Sequence, residues 1–154
     1  MTWGERSSSA REGAPDLSRV EIALSIPSDV RYIEGVVARV TRECAAYAFS
    51  PRHVHLNVPV ALTEALSNAI LYGNGGDEEK QVRVRASVDD RRLVIEVSDE
   101  GAGFDLEACT VDPGLRLNLE REDGRGLFLM RHLMDRVERY SADGNVVRLT
   151  LNRP

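Results

Sequence analysis

Apolar residues recur along this chain with two different periods, and the change from one to the other outlines its elements. The segment EIALSIP (21–27) alternates as a strand does. After Ser28 or Asp29, either of which could cap a helix, apolar positions recur every three or four residues as far as Tyr47. The same spacing returns over 58–72. We therefore predict a strand followed by two amphipathic helices.

The period changes to two beyond residue 80. Apolar and polar residues alternate over 82–88 and again over 93–97, and the sequence DDR (89–91) between them is typical of a hairpin turn. The second strand ends at SDEGAGFD (98–105), where two glycines interrupt the alternation. This part of the chain is predicted to be an antiparallel hairpin followed by a glycine-rich turn.

A long loop is predicted over 106–123, and loops of that length in compact domains are usually functional or mobile. The segment GRGLFLMRHLMDRVERY (124–140) has an apolar, methionine-rich face at helical spacing, which predicts a third helix. After a turn at SADG (141–144), the alternation in NVVRLTLN (145–152) predicts a final strand.

This order of elements predicts an α/β (α+β) two-layer sandwich, in which a mixed, mostly antiparallel sheet is covered on one face by three helices. Residues 1–19 are polar, rich in Ser and Gly and without a period, so we predict a disordered N-terminal tail there. The folded domain is then expected over 20–154.

Composition narrows the choice of partners and compartment. The chain has 20 Lys and Arg against 25 Asp and Glu, whereas domains that bind nucleic acid through its phosphates are usually basic, so no direct nucleic-acid partner is expected. No apolar run reaches the length of about 20 residues that a membrane span needs. Cys44 and Cys109 lie far apart without ligand-rich neighbours, which predicts buried or idle thiols in a reducing cytoplasm. We expect a cytoplasmic protein without a membrane segment.

Two polar residues interrupt the second predicted helix, which is otherwise almost wholly apolar. Glu64 and Asn68 are four positions apart and therefore share one helical face. A solvated outer face would explain them, but the apolar flanks favour a cleft. There the Asn68 carboxamide could bind a hard cation such as Mg²⁺, and the Glu64 carboxylate could accept a proton from an attacking hydroxyl.

The turn after the hairpin carries a second cluster. Asp99 stands where its strand ends, a usual place for ligand-facing residues. Gly101 and Gly103 remove side chains, so a flat ligand could approach the backbone, and the carboxylate could accept a hydrogen bond from the amino group of a base. Taken alone, the cluster could equally be a tight acidic turn.

Glycines also open the third predicted helix. Gly124 and Gly126 flank Arg125, and the N–H groups at a helix start form a site for anions such as phosphates. Arg125 could add a charge-assisted hydrogen bond. Taken alone, the segment could equally be a flexible helix start. Neither a GxxxxGK[ST] loop nor a GxGxxG after the first strand is present.

An ExxxN helix, a DxGxG turn at a strand end and a GxG helix start, in that order, resemble the ATP-binding module of the GHKL (Bergerat-fold) superfamily, which gyrase, histidine kinases and MutL share. The likeness runs from about Glu21 to the C-terminus. Within the superfamily the chain is most similar to the small anti-sigma factor serine/threonine kinases, on the segments SIPSDVRYIEGVVARV and GRGLFLMRHLMDRV and on its compact size.

The resemblance implies a role for each matched residue. Asn68 would bind a Mg²⁺ ion that bridges the ATP phosphates, Glu64 would be the general base, and Asp99 would bind the adenine amino group. The residues implied to lie beside the base or to cradle the phosphates, with 106–123 as a lid, are Gly101, Gly103, Gly124, Arg125, Gly126, Leu127 and Asn145.

The resemblance also implies partners. Such kinases phosphorylate a serine on an anti-anti-sigma protein of the STAS fold, and the free kinase sequesters a sigma factor. A homodimer is expected as well, paired through the sheet or the first helix, and the 82–88 strand could supply an edge.

The chain departs from the family pattern at three places. Tyr72 stands where relatives often have a His, four residues after the Asn. Asn145 follows Gly144 where relatives usually offer Thr, and the helix start reads DGRG rather than GGLG.

Three other functions remain open at this point. The chain could be a non-catalytic module in which the bound nucleotide only selects the protein partner. It could be the catalytic half of a histidine kinase, although none of its three histidines lies in a phosphoacceptor-like helix. It could also be a simple ATPase.

Overall fold

The computed structural model describes residues 2–7, 19–101 and 117–154, with side chains over 19–101 and 125–154. The elements in chain order are β1 (Thr2–Ser7), β2 (Arg19–Pro27), α1 (Ile33–Ala46), α2 (Val58–Asn68), β3 (Gln81–Asp89), β4 (Arg92–Asp99), α3 (Leu117–Leu133), β5 (Arg136–Ser141) and β6 (Asn145–Asn152). A 3₁₀ turn (Val30–Tyr32) precedes α1, and π-helical turns (His53–Asn57 and Ala69–Gly73) lie at the two ends of α2.

Among the described residues, six strands form one sheet in the order β1-β2-β3-β4-β6-β5. Each described pairing is antiparallel. The sheet is therefore antiparallel where the sequence predicted a mixed, mostly antiparallel one. The predicted cover of three helices and the two-layer α/β sandwich are confirmed.

The core lies between the helices and one face of the sheet. Apolar residues of α2 and α1 are buried against inward side chains of β2, β3, β4 and β6, and the largest fully buried ones include Ile26, Leu62, Leu66, Ile95 and Leu149. Cys44 belongs to this core, and burial raises the pKa of its thiol to about 12. The prediction of a buried thiol is confirmed for Cys44, whereas Cys109 lies outside the described residues.

The N-terminal segment differs in part from the predicted tail. Thr2–Ser7 forms an edge strand that pairs with β2, with Gly4 opposite Ala23. The open edge of β2 offers unpaired backbone N–H and C=O groups, and an extended segment of almost any sequence can satisfy them. Residues 8–18 of the predicted tail lie outside the described residues.

The third helix also differs from its prediction, at both ends. It begins at Leu117, inside the segment predicted as a loop, and ends at Leu133. Arg136–Ser141 is a strand paired with β6, although residues 136–140 were predicted as helical. The Asp135 N–H donates to the Thr150 carbonyl, which starts the hairpin. Pairing with the open edge of the sheet thus determined the structure of this segment, although the methionines before it have helical spacing. Residues 106–116 of the predicted loop lie outside the described residues.

The strand proposed as a dimer edge is internal. β3 lies between β2 and β4, so its backbone hydrogen bonds are used within the sheet and that prediction was wrong. β1 and β5 are the outer strands of the described sheet.

The second face of the sheet carries a charged network. Tyr140 donates to Glu96 at 2.7 Å, and Arg148 donates to the same carboxylate at 2.8 Å. The hydrogen bond from Tyr140, and then those from Arg148, hold the pKa of Glu96 below its usual value. In the part of the chain that the structure describes, no helix is long and apolar enough to cross a membrane.

Candidate functional site

Helix α2 presents Glu64 and Asn68 to helix α3. Both side chains are half-buried, whereas Ala65 and Leu66 beside them are buried in the core. Gly126 of α3 lies directly against the pair: a Cβ built there would be 2.9 Å from Glu64 Oε2 and 3.3 Å from Asn68 Nδ2. The predicted common face of Glu64 and Asn68 therefore exists, and α3 covers it.

A buried amide holds the two helices together at the other end. Asn57, at the start of α2, donates from Nδ2 to the Leu133 carbonyl at 2.7 Å. Leu133 is the last residue of α3, where carbonyls lack helical partners. Asn57 thus satisfies one of them and fixes the C-terminal end of α3 against α2.

Asp99 is buried at the end of β4, as its position in the sequence predicted. Its Oδ1 accepts hydrogen bonds from the Gly101 N–H at 2.8 Å and from Asn145 Nδ2 at 2.9 Å. Asn145 stands opposite Asp99 in the register of β4 and β6. Within the described residues, both hydrogen bonds donated to the Asp99 side chain go to Oδ1. Oδ2 can therefore accept one from a ligand.

Glycines surround this carboxylate because there is no space for side chains. A Cβ at Gly73 would be 2.1 Å from Asp99 Oδ2, and one at Gly101 would be 1.8 Å from the Gly73 carbonyl oxygen. Gly144 has φ +121° and lies equally close to the Asp99 carbonyl oxygen. The chain therefore packs backbone against the Asp99 side chain, which fixes the carboxylate in one orientation.

Asn74 connects the segments around Asp99. Its side chain is buried and donates to Ser28 Oγ at 2.8 Å and to the Gln81 carbonyl at 3.0 Å. Its Oδ1 accepts from the Glu100 N–H at 2.7 Å. The end of α2 is thereby attached to the loop before α1, to β3 and to the turn after Asp99.

A narrow cavity extends from Asn68 to the cluster around Asp99. Its walls come from α2, α3 and the sheet, and include Asn68, Tyr72, Asp99, Arg139 and Asn145. Its volume is about 30 Å³, whereas ligand pockets commonly have about 300–1,000 Å³. As it stands, the cavity is too small to hold a nucleotide base.

The predicted phosphate cradle is not a helix start in this structure. Gly124, Arg125, Gly126 and Leu127 all lie inside α3, seven or more residues after Leu117, where helical hydrogen bonding uses the backbone N–H groups. Arg125 is exposed and Leu127 is half-buried against the core. The prediction of a glycine-opened helix was therefore wrong, although Gly126 does lie at the site. Gly103 lies outside the described residues.

Sequence reasoning missed four residues of the site. Gly73 and Asn74 follow the helix predicted over 58–72 and were given no role, and Met130 was considered only as part of the apolar face of the third helix. Arg139 was placed in a helix, so the face on which it lies was unknown. The segment RVERYS (136–141) carries no clear signal for a strand, because its apolar residues Val137 and Tyr140 are three positions apart, which is also a helical spacing.

The side chains present fit a magnesium nucleotide. Asn68 offers a neutral oxygen beside the Glu64 carboxylate, and Gly126 leaves the space between them free of a side chain. Among the described residues, no group of three or more His, Cys, Asp or Glu could hold a metal ion alone. Mg²⁺ does not need such a cage, because it usually keeps several waters and binds one or two protein groups together with phosphates.

Comparison with known proteins gives a family match over most of the chain. The family model of the histidine kinase-like ATPase domain matches residues 26–151. The serine-protein kinase RsbW of Bacillus velezensis is 30% identical over 135 residues, which cover 84% of this chain and 83% of the relative. The RsbW of Listeria monocytogenes is 28% identical over 135 residues, with 84% and 85% covered.

Two further proteins are similar to the chain. The anti-sigma F factor of Clostridium beijerinckii is 30% identical over 99 residues, which cover 63% of this chain and 68% of that factor. A crystal structure of the RsbU and RsbW domains of a Mycobacterium tuberculosis protein superposes with a TM-score of 0.62 and 18% identity, over 92% of this chain and 34% of that one. That likeness supports the fold.

Proposed function

The chain belongs to the histidine kinase-like ATPase family, and from that premise we propose that it is an ATP-dependent serine-protein kinase and anti-sigma factor. In this proposal it phosphorylates a serine on a STAS-type anti-anti-sigma partner and, when that partner is phosphorylated, sequesters a sigma factor. The names of the relatives support both roles. The observation that carries the proposal is the close approach of Gly126 to the Glu64–Asn68 pair, of which Asn68 also lines the cavity that contains Asp99.

Asp99 would select the base. Its Oδ2 is held beside Gly73 by the hydrogen bonds to Oδ1. The carboxylate would therefore accept a hydrogen bond from the amino group of a base without changing its orientation. Because an ionised carboxylate only accepts hydrogen bonds, this arrangement favours adenine, whose amino group donates, over a base that presents a carbonyl oxygen there.

Asn68 and Glu64 would act at the phosphate end. When bound, Mg²⁺ would neutralise phosphate charge, with the Asn68 carboxamide oxygen as its ligand from the protein. Glu64 would orient the acceptor serine hydroxyl and take its proton. Phosphoryl transfer depends mainly on positioning and charge neutralisation, so the protein needs few other groups.

Transfer of labelled phosphate from ATP to a STAS partner tests the kinase role. The wild type should transfer, and Glu64→Gln should bind ATP as well as the wild type while transferring at least about 10²-fold more slowly. Asp90→Asn, at the tip of the hairpin between β3 and β4, is a matched control and should behave as the wild type. Equal transfer by Glu64→Gln and the wild type would remove Glu64 from the mechanism.

The metal assignment has its own test. Binding of ATP by the wild type should tighten with Mg²⁺, and Asn68→Ala should lose that dependence while its binding of adenosine is unchanged. Absence of any Mg²⁺ dependence in the wild type would count against Asn68 as a ligand.

The narrowness of the cleft favours one alternative, a non-catalytic module that is regulated by nucleotide. The cavity under α3 is only about 30 Å³, and the residues predicted to cradle the phosphates lie inside that helix. Both features would suit a protein in which ATP only changes the surface that a partner binds. This alternative predicts ATP binding that Asp99→Asn abolishes, with no phosphate transfer to any STAS partner.

A cytoplasmic homodimer completes the proposal. Within the described residues, the sheet face that carries Glu96, Tyr140 and Arg148 is not covered by a helix, and acidic and basic side chains alternate on it. Such a surface can pair with a second copy of itself. Sedimentation equilibrium of the wild type and of Arg148→Glu, which places like charges together, tests this arrangement.

A further inference from the structure

Arg139 lies on the outer strand β5, on the sheet face that the helices cover. It stands opposite Val147, which stands opposite Val97. Opposed residues of antiparallel strands project to the same face, and Val97 belongs to the core beneath the helices. Asp99 follows Val97 by two residues and so lies on that face as well.

The side chain of Arg139 also lines the cavity of the candidate site. The other walls include Asp99, Asn145, Asn68 and Met130. Arg139 and Asp99 thus line one cavity. A ring system that binds the Asp99 carboxylate would occupy a site whose wall includes Arg139.

Resting on the nucleotide function proposed above, we propose that Arg139 is a specificity-determining residue that donates a hydrogen bond to a ring nitrogen of the purine held by Asp99. An ionised carboxylate only accepts and a guanidinium only donates. Adenine has the matching pattern, since an amino donor lies beside ring-nitrogen acceptors. Asp99 and Arg139 together thus read the donor and the acceptor of one base.

The wild-type protein provides the first test. Its affinity is measured by calorimetry for ATP and for three analogues in which N1, N3 or N7 of the ring is replaced by a carbon. One of the three should bind about tenfold more weakly than ATP, as expected for one lost hydrogen bond from a charged donor. Equal affinities for ATP and all three analogues would overturn the proposal.

Variants then identify the donor. Arg139→Met should bind ATP about tenfold more weakly than the wild type and should bind the discriminated analogue as well as ATP. Arg139→Lys keeps a donor and should retain part of the discrimination, so it carries the test if the Met variant does not fold. Arg136→Gln, on the same strand and the opposite face, is exposed and should match the wild type throughout.

Each of the following results would reject this role. Arg139→Met could retain the full discrimination of the wild type. Its loss of affinity could instead be seen with ATP and ADP and be absent with adenosine, which would place Arg139 on the phosphates. If Asp99→Asn loses ATP binding while Arg139→Met binds ATP as the wild type does, only the inference about Arg139 is rejected, and the proposed function stands. A wild type that binds no ATP removes the proposed function together with it.

Discussion

Gly126 and Glu64 touch across the interface of helices α3 and α2. The Cα of Gly126 lies so near the carboxylate that an added Cβ would be 2.9 Å from Oε2. A helix interior normally disfavours glycine, by about 1 kcal/mol relative to alanine. The residue at this position therefore lowers helix stability, and its small size is what allows α3 to cover Glu64 and Asn68.

Gly126→Ala should separate stability from activity. The gain in helix propensity offsets the new contact, so the free energy of unfolding should change by less than about 1 kcal/mol. Phosphate transfer should fall by about 10²-fold, because the Cβ displaces the Glu64 carboxylate from its position. Urea unfolding and the transfer assay measure the two quantities.

Gly35→Ala is the matched control for that substitution. Gly35 is exposed on α1, and a Cβ there meets nothing within 4 Å. It should stabilise the protein by up to about 1 kcal/mol with unchanged transfer. A Gly126→Ala variant that transfers phosphate at the wild-type rate would show that Glu64 does not need the space.

Asp99→Asn should weaken ATP binding by at least about tenfold. An amide can still accept from Gly101 and Asn145 through its oxygen, but it then presents an NH₂ group to the base in place of Oδ2. Fluorescence titration with ATP, alongside Asp90→Asn as control, measures the loss. Unaltered affinity in Asp99→Asn would mean that the base lies elsewhere.

Asn74→Ala should destabilise the fold by about 3 kcal/mol, because it leaves the Glu100 N–H and the Gln81 carbonyl without their side-chain partner. Asn152→Ala, at an exposed position at the end of β6, should change stability by less than about 0.5 kcal/mol. Urea unfolding of both variants provides the comparison. A loss below about 1 kcal/mol in Asn74→Ala would show that water replaces the amide.

Glu96→Gln should lower stability in a way that depends on pH. The fold depresses the pKa of Glu96, so its stabilisation is present above the unfolded value of about 4.3 and is lost as pH falls through the lower folded value. We expect a loss of about 0.5–1 kcal/mol at pH 7, given the partial exposure of the pair.

The pH series contains its own check. The difference in unfolding free energy between wild type and Glu96→Gln should shrink from about pH 5 to pH 3. Glu79→Gln, at an exposed position before β3, should follow the wild type at each pH. A difference in Glu96→Gln that stays constant down to pH 3 would mean that the carboxylate charge contributes nothing.

Local geometry let the sequence alone determine several features of the site. Residues four apart on a helix share a face, so Glu64 and Asn68 had to lie together. A strand alternates with a period of two, so Asp99 had to stand at the end of the one that contains Leu93 and Val97. These relations depend only on the backbone of a single element, and the structure has them as predicted.

Tertiary structure alone decided which segments meet at that site. Pairing of Val147 with Arg139 brings an arginine of the outer strand into the cavity, and packing of α3 on α2 brings Gly126 to Glu64. β1 and β5 exist because open sheet edges supply partners for their backbones. Such contacts join residues far apart in sequence, and their energy comes from register and close packing, which no local period encodes.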